Sequence, residues 1–176
     1  DYTYTFAALK PAHVLKASVP LCGKIELIDI GIPTADIAAI PDGITLLSAE
    51  TSVGCIPKRR EDSNKGDYGK LLNIGGCAHM TGAVILSTLS SMRCGVGLVK
   101  VAAPQPAIPA VAAHILECIY SPMPVSDSGS ISIDGVEQLR TEMSWASAGL
   151  IGCGLSVCDD TRLLVEEVIS SFGKPL

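Results

Sequence analysis

Two short runs carry the residue types best suited to hold a small anionic ligand. The first is Ile74-Gly75-Gly76-Cys77-Ala78-His79-Met80-Thr81-Gly82-Ala83, and the second is Ile151-Gly152-Cys153-Gly154-Leu155-Ser156. In each, an apolar segment ends in glycines and a helical pattern follows. Glycine lets backbone approach a ligand closely, and the free N–H groups of a helix start attract anions. The same order also describes an ordinary connection between strand and helix, so both readings stay open at this point. Neither run fits G-x-G-x-x-G or G-x-x-x-x-G-K-[ST], which disfavours an ordinary dinucleotide fold and a P-loop enzyme.

Other candidate chemistry is sparse. Cys77 and His79 form one conceivable ligand pair, but a metal site needs a second pair. The seven cysteines form no CxxC and mostly fall in apolar segments, with no evident base beside any of them. They read as reduced thiols serving as small core residues in a cytosolic compartment. Lys58, Arg59, Arg60, Lys65 and Lys70 cluster, interleaved with Glu61, Asp62 and Asp67. That segment is either a solvated loop or a local phosphate-attracting patch.

The elements that must position these runs follow from periodicity. Residues 24–30 form a β-rich run, and 34–57 read as a linker with a short helix and a turn at Pro41-Asp42-Gly43. From Lys70 onward strands and helices alternate. Strands are expected at 71–74, 98–102, 117–120 and 148–152. Helices are expected at 80–94 (Ile85, Leu89 and Met92 inward, serines opposite), 106–113, 134–143 and 159–171, the last packing Leu163, Leu164, Val168 and Phe172. Residues 121–132 read as a loop. Such alternation predicts an α/β fold, a parallel sheet covered by helices on both faces in three layers.

The composition agrees. Hydrophobic residues make up 48% of the 176 and charged residues 18%, enough for a substantial core. Mean hydropathy is +0.41, yet the longest apolar stretch, 98–120, is broken by Pro104, Pro106 and Pro109 and by charged residues. No run reaches the roughly 18 apolar residues of a spanning helix, so no membrane partner is expected. A net charge of −5 argues against nucleic acid. The ends read as internal: Asp1-Tyr2-Thr3 has neither Met nor signal peptide, and Gly173-Lys174-Pro175-Leu176 stops where a new strand should begin.

In order, Asn64-Lys65-Gly66-Asp67-Tyr68-Gly69-Lys70, Ile74-Gly75-Gly76, Met80-Thr81-Gly82-Ala83 and Arg93-Cys94-Gly95-Val96-Gly97-Leu98-Val99 resemble one family. So do Ala102-Ala103-Pro104, Trp145-Ala146 and Ile151-Gly152-Cys153-Gly154-Leu155. The family is the ADP/ATP-dependent NAD(P)H-hydrate dehydratases, whose fold is ribokinase-like. The similarity spans about Arg59 to Leu176. Upstream, Thr3-Tyr4-Thr5-Phe6, Lys10-Pro11 and Asp29-Ile30-Gly31-Ile32-Pro33 resemble the last segment of the NAD(P)H-hydrate epimerase domain, Rossmann-like, which precedes the dehydratase in bifunctional repair enzymes. This chain departs from the family at Asn64, usually His, and at Cys153 and Ser156, usually Pro and Gly.

The resemblance implies an organisation and a chemistry. Residues 1–33 would be the epimerase tail, 34–57 a linker and 58–176 the N-terminal half of the dehydratase. The activity implied is ADP- or ATP-dependent dehydration of the S form of hydrated NADH or NADPH, with Mg2+, and epimerisation by the adjoining domain, with K+. A cytoplasmic homo-oligomer acting on a small dinucleotide is expected. Ala83 and Gly154 would contact substrate, with Thr81 and Gly82 beside them. The catalytic Asp of the family's glycine-rich motif would lie beyond Leu176, so no catalytic residue is assigned and the isolated chain is expected to be inactive. The alternatives are a ribokinase-like kinase for a vitamin precursor or sugar, and a dinucleotide-binding fragment without turnover.

Overall fold

The computed structural model describes residues 1–40, 44–56 and 58–176, and the turn expected at Pro41-Asp42-Gly43 lies outside them. The chain divides into two compact units, Asp1–Pro57 and Lys58–Leu176.

In the first unit, alternating aromatic and β-branched residues make β1 (Tyr2–Phe6), which pairs in parallel with β2 (Lys24–Ile28) from Tyr2↔Lys24 to Phe6↔Ile28. Strand β2 stops two residues short of the apolar run. Between the strands lies the short helix α1 (Val19–Cys22), tied to β1 where Thr3 Oγ1 donates to the Cys22 carbonyl at 2.6 Å. Two short helices, α2 (Thr34–Ala38) and α3 (Ala49–Gly54), occupy the stretch read as a linker with one. Among the described residues of this unit only Thr5 is buried, and Tyr2, Tyr4 and Phe6 stand exposed along one face.

The second unit alternates strictly. It runs β3 (Lys70–Ile74), α4 (Thr81–Arg93), β4 (Leu98–Pro104), α5 (Ile108–Ala112), β5 (Ile119–Met123), α6 (Val136–Trp145), β6 (Ala148–Ile151) and α7 (Asp159–Ser171). The four strands are all parallel, in the order β5-β4-β3-β6. Alternate strand residues supply two cores. Leu72, Ile74 and Ala102 meet Leu139 and Met143 of α6 and Leu164 and Val168 of α7 on one face. Val99, Val101 and Ala103 meet Val84 of α4 and Val111 of α5 on the other. Helices therefore cover both faces, giving the three-layer α/β architecture. No helix among the described residues is long and apolar enough to cross a membrane.

Several local expectations are corrected. Strand β5 begins at Ile119 rather than Glu117 and continues through Pro122 and Met123, which read as loop. Among the described residues β5 is an edge strand, and proline is tolerated there because no strand lies on its outer side to accept the N–H it lacks. On α4 the fully buried residues are Val84 and Thr88; Ile85, Leu89 and Met92 are only partly covered. Ser87 lies not opposite the sheet but against it, because Asn73 of β3 bonds both Ser87 and Thr88. Of the cysteines, only Cys77 and Cys118 are buried; all seven are free thiols.

Helix α7 turns Leu164, Val168 and Phe172 inward at a four-residue spacing and leaves Leu163 39% exposed. Leu164→Ala should therefore cost about 2–5 kcal/mol, a buried large-to-small change, and Leu163→Ala less than about 1 kcal/mol. Urea unfolding followed by far-UV circular dichroism measures both; equal losses would mean that the helix face is wrongly oriented.

Candidate functional site

Strand order creates the candidate site. From β3 the chain winds outward through β4 to β5, then returns to the far side of β3 for β6. The helices that follow β3 and β6 pack on opposite faces, since α4 belongs to one core and α7 to the other. Their loops part in opposite directions at this reversal, and such a switch point opens a crevice outside the carboxyl ends of a parallel sheet. The loops that part there are the two glycine runs.

They meet backbone to backbone. Gly76 N donates to Cys153 O at 2.8 Å, and Gly152 N to Ile74 O at 3.2 Å. A Cβ on Gly75 would lie 2.5 Å from Cys153 O, and one on Gly154 would lie 2.6 Å from Met80 O and 3.1 Å from Ala83 Cβ. Gly76 and Gly154 also hold φ of +77° and +82°, which side chains disfavour. The structure thus brings Ala83 and Gly154 together, and the missing side chain of Gly154 makes room for α4. Thr81 is half-buried. Gly82 is exposed, and a Cβ there would meet nothing within 4 Å. Of the four residues expected at substrate, Gly82 alone faces open space.

The two helix starts at the crevice differ electrically. Met80, the residue before helix α4, supplies no side-chain cap and the first turn holds no acid, so the N–H groups of Thr81, Gly82 and Ala83 are free to bind an anion. Helix α7 is capped by Cys158 and carries Asp159 and Asp160 in its first turn. An anion is favoured at α4 and opposed at α7. A third wall is the turn between β5 and α6, where Val125 bridges Ile131 and Ala78 N donates to Gly129 O at 2.8 Å.

The basic segment lies at the other end of the sheet. Arg59 donates to Gly95 O at 3.0 Å and covers the Tyr68 ring at 4.6 Å. Gly97 N and Leu98 N donate to Tyr68 O and Gly69 O, at the start of β4. Asn64 caps the turn Lys65–Tyr68 by accepting from Gly66 N at 2.8 Å, and Asp67 accepts from Asn64 N at 2.9 Å. This segment clasps the amino-terminal edge, opposite the glycine loops. No cluster of three or more His, Cys, Asp or Glu residues able to hold a metal exists among the described residues; Cys77 is buried while His79 is exposed. In the first unit a cavity of about 390 Å³ is lined mainly by apolar side chains such as Leu9, Val14 and Ile37. The ammonium of Lys10, beside it, is held by Thr5 Oγ1, Phe6 O and Ala8 O. That cavity suits no phosphate-bearing ligand.

Sequence reasoning missed Cys158. Its sulfur caps α7, accepting from Thr161 N at 3.5 Å with Ser130 Oγ at 3.1 Å and Thr161 Oγ1 at 3.3 Å. Hydrogen bonds from Ser128, then Ser130 and Thr161, hold the thiol down at about 6. The available signal was the spacing Cys158-Asp159-Asp160-Thr161, a capping residue followed by acids of a first turn. A depressed folded value means stabilisation that is complete above the ordinary thiol range, near 9, and lost as pH falls through about 6. The stability difference between wild type and Cys158→Ala should therefore shrink between pH 9 and 6, and iodoacetamide should label Cys158 with a midpoint near 6. A midpoint at the ordinary thiol value would refute the capped thiolate.

Comparison with known proteins bears on the family and the fold. The family profile described as NAD(P)H-hydrate dehydratase matches residues 71–173. The bifunctional NAD(P)H-hydrate repair enzyme Nnr of Moorella thermoacetica is 32% identical over 174 residues, covering 99% of this chain and 33% of that protein. Its namesake in Thermofilum pendens is 27% identical over all of this chain and 33% of its own length. The chain thus spans about a third of the curated relatives it matches. Among solved structures, a protein from Streptococcus mutans superposes with a TM-score of 0.59 at 27% identity, over 70% of this chain and 41% of its own. The ADP/ATP-dependent NAD(P)H-hydrate dehydratase of Bacillus subtilis, co-crystallized with ATP/Mg2+, gives 0.53 at 25% identity, over 69% and 40%. A ribokinase-like superfamily protein from Enterococcus faecalis shares the fold at 0.59. With a parallel sheet, a switch point between two glycine loops and a profile covering more than half of its residues, the chain belongs to the NAD(P)H-hydrate dehydratase family.

Proposed function

We propose that residues 58–176 bind the hydrated form of NADH or NADPH at the switch point and present it for dehydration driven by ADP or ATP. The observation that carries this reading is the uncapped, acid-free start of α4 at the crevice. Its first three N–H groups, from Thr81, Gly82 and Ala83, would receive a phosphate oxygen of the dinucleotide. The Cys153–Gly154 turn would support that helix start from below. The chain's own part in the reaction is binding and orientation, which turn an encounter into a positioned reaction. Hydroxide leaves poorly, and phosphoryl transfer would convert it into a better leaving group. Magnesium finds no ligand cluster among the described residues, and no step of this chain's chemistry is assigned to it. The proton-transferring carboxylate is assigned to no residue of this chain.

The remaining assignments rest on the sequence motifs. Residues 1–33 are taken as the tail of an epimerase domain and 34–57 as a linker; the exposed aromatic face of β1 is consistent with a strand of a larger sheet, since parallel strands are ordinarily covered on both faces. Seven free thiols support a reducing, cytoplasmic setting.

Gly82 gives the sharpest test because its open side leaves the fold room for a bulky residue. In the full-length protein Gly82→Phe should fold normally and weaken binding of hydrated NADH, measured by calorimetry. A lost hydrogen bond to a charged group is worth about 1.5–3 kcal/mol, roughly ten- to a hundredfold in affinity. Gly154→Leu should weaken binding and destabilise as well, because its Cβ meets Met80 O. Lys58→Ala, at the opposite edge, should change neither. Normal binding by Gly82→Phe with collapse in Lys58→Ala would move the site to the basic segment. A second measurement concerns turnover: the 176-residue chain should restore no reduced nicotinamide absorbance with ADP or ATP, and turnover by it would mean that a catalytic carboxylate among these residues was missed.

A further inference from the structure

Asn73 sits in the middle of β3, between β4 and β6, with no solvent exposure. Its Nδ2 donates to Ser87 Oγ at 2.8 Å and to Thr88 Oγ1 at 2.9 Å. Both hydroxyls in turn donate to the carbonyl of Val84, at 3.1 and 2.7 Å. The amide oxygen, Oδ1, has no partner among the described residues. A buried acceptor without a partner is a standing cost to the fold, which an aliphatic side chain of similar size would remove.

What the amide holds in place is the helix that begins the site. The other contacts between this core face and α4 are apolar, and apolar contact is non-directional, so it tolerates small slides and rotations of a helix. The Asn73 bonds are directional and reach the carbonyl at the end of the first turn. Val84 is the residue whose methyl groups meet Gly75 and Gly76, at 3.5 and 3.0 Å from the Cβ positions those glycines lack. Ala83, one residue earlier, meets Gly154. A helix rotated or shifted on the sheet would lose both fits and turn the N–H groups of Thr81, Gly82 and Ala83 away from the crevice.

We propose that Asn73 is a positioning residue for the substrate edge: its buried amide sets the register of α4 against β3, so that the helix start faces the switch point. This rests on the reading of the α4 start as the anion site. A polar network inside a core fixes one arrangement at some expense of stability, and the orphaned oxygen is that expense here.

The test compares Asn73→Leu with wild type in the full-length protein, by thermal unfolding, by hydrated-NADH binding and by amide hydrogen exchange of a peptide spanning 81–88. Expected are an unchanged or raised Tm, five- to tenfold weaker binding, and faster exchange confined to that peptide. Wild-type binding together with wild-type exchange overturns the proposal, and so does a fall in Tm with exchange raised throughout the chain, which marks a purely structural role. If Asn73→Leu does not fold, Ser87→Ala decides: two- to threefold weaker binding at unchanged Tm supports the proposal, and unchanged binding overturns it. Gly82→Phe separates the two layers. Should it bind normally, the anion-site reading fails, and exchange in 81–88 alone judges Asn73; should it block binding while Asn73→Leu leaves binding and exchange untouched, the positioning role fails and the site stands.

Discussion

The arrangement of the second unit turns on one close backbone approach, the hydrogen bond from Gly76 N to Cys153 O with Gly75 pressed against the same carbonyl. Two connections that leave neighbouring strands toward opposite faces would ordinarily diverge. Here they touch before they part, which is possible only where no side chain intervenes. Gly154 extends the contact to the first turn of α4, with Met80 O and Ala83 Cβ on its bare side. The glycines of this edge therefore serve packing first. Their effect on a ligand is indirect: by letting the loops lie flat on one another, they leave the start of α4 and the open side of Gly82 as the accessible surface.

The core on each face then reads as the consequence of strand alternation around that edge. Leu72 and Ile74 point to α6 and α7, while Asn73 between them points to α4. Polar links cross the other face as well. Lys100 of β4 pairs with Glu142 of α6 and lies over the Trp145 ring at 4.3 Å, and Glu142 also accepts from Ser121 Oγ at 2.8 Å. Gln138 of α6 adds to this tie by donating to Ser121 Oγ at 3.1 Å and to Pro122 O at 3.0 Å. Each face thus carries a polar tie between strand and helix, and each tie has few alternatives, because a charge or amide buried without its partner is costly.

Much of this was legible in the sequence, and the exceptions have physical causes. The boundaries of α7 and the order of strands and helices follow from apolar spacing and glycine punctuation, which are local. The glycine loops were legible for the same reason. Strand β5 was misplaced because Pro122 punctuates a sequence more strongly than it disturbs an edge strand. Leu163 was placed inside because neighbouring leucines share a helix face only approximately; the packing of Leu164 with Val168 and Phe172 settles the rotation. The role of Ser87 and Thr88 depends on Asn73, fourteen and fifteen residues away, and no periodicity reports such a partnership. The switch point was illegible too, since strand order is a property of long-range pairing.

Charge decides how a polyanion could be held at such an edge. The loops 75–80, 105–107, 124–132 and 152–158 contain no Lys or Arg, and Asp127, Asp134, Asp159 and Asp160 lie in or beside them, in a chain of net charge −5. Long-range attraction is therefore weak or adverse, and screening by salt acts mainly on separated charges. On the proposed reading, these loops would hold a phosphate at short range, by N–H groups aimed at it and fixed in advance. That requirement explains why geometry counts for so much here. Arginine can reach for a phosphate and tolerate displacement of its backbone; the first turn of a helix cannot. Under the proposed function, these loops offer a phosphate only backbone N–H groups, which requires α4 to be held closely in place, and the glycine contacts of the loops and the directional bonds of Asn73 are the features of this sequence that would meet the need.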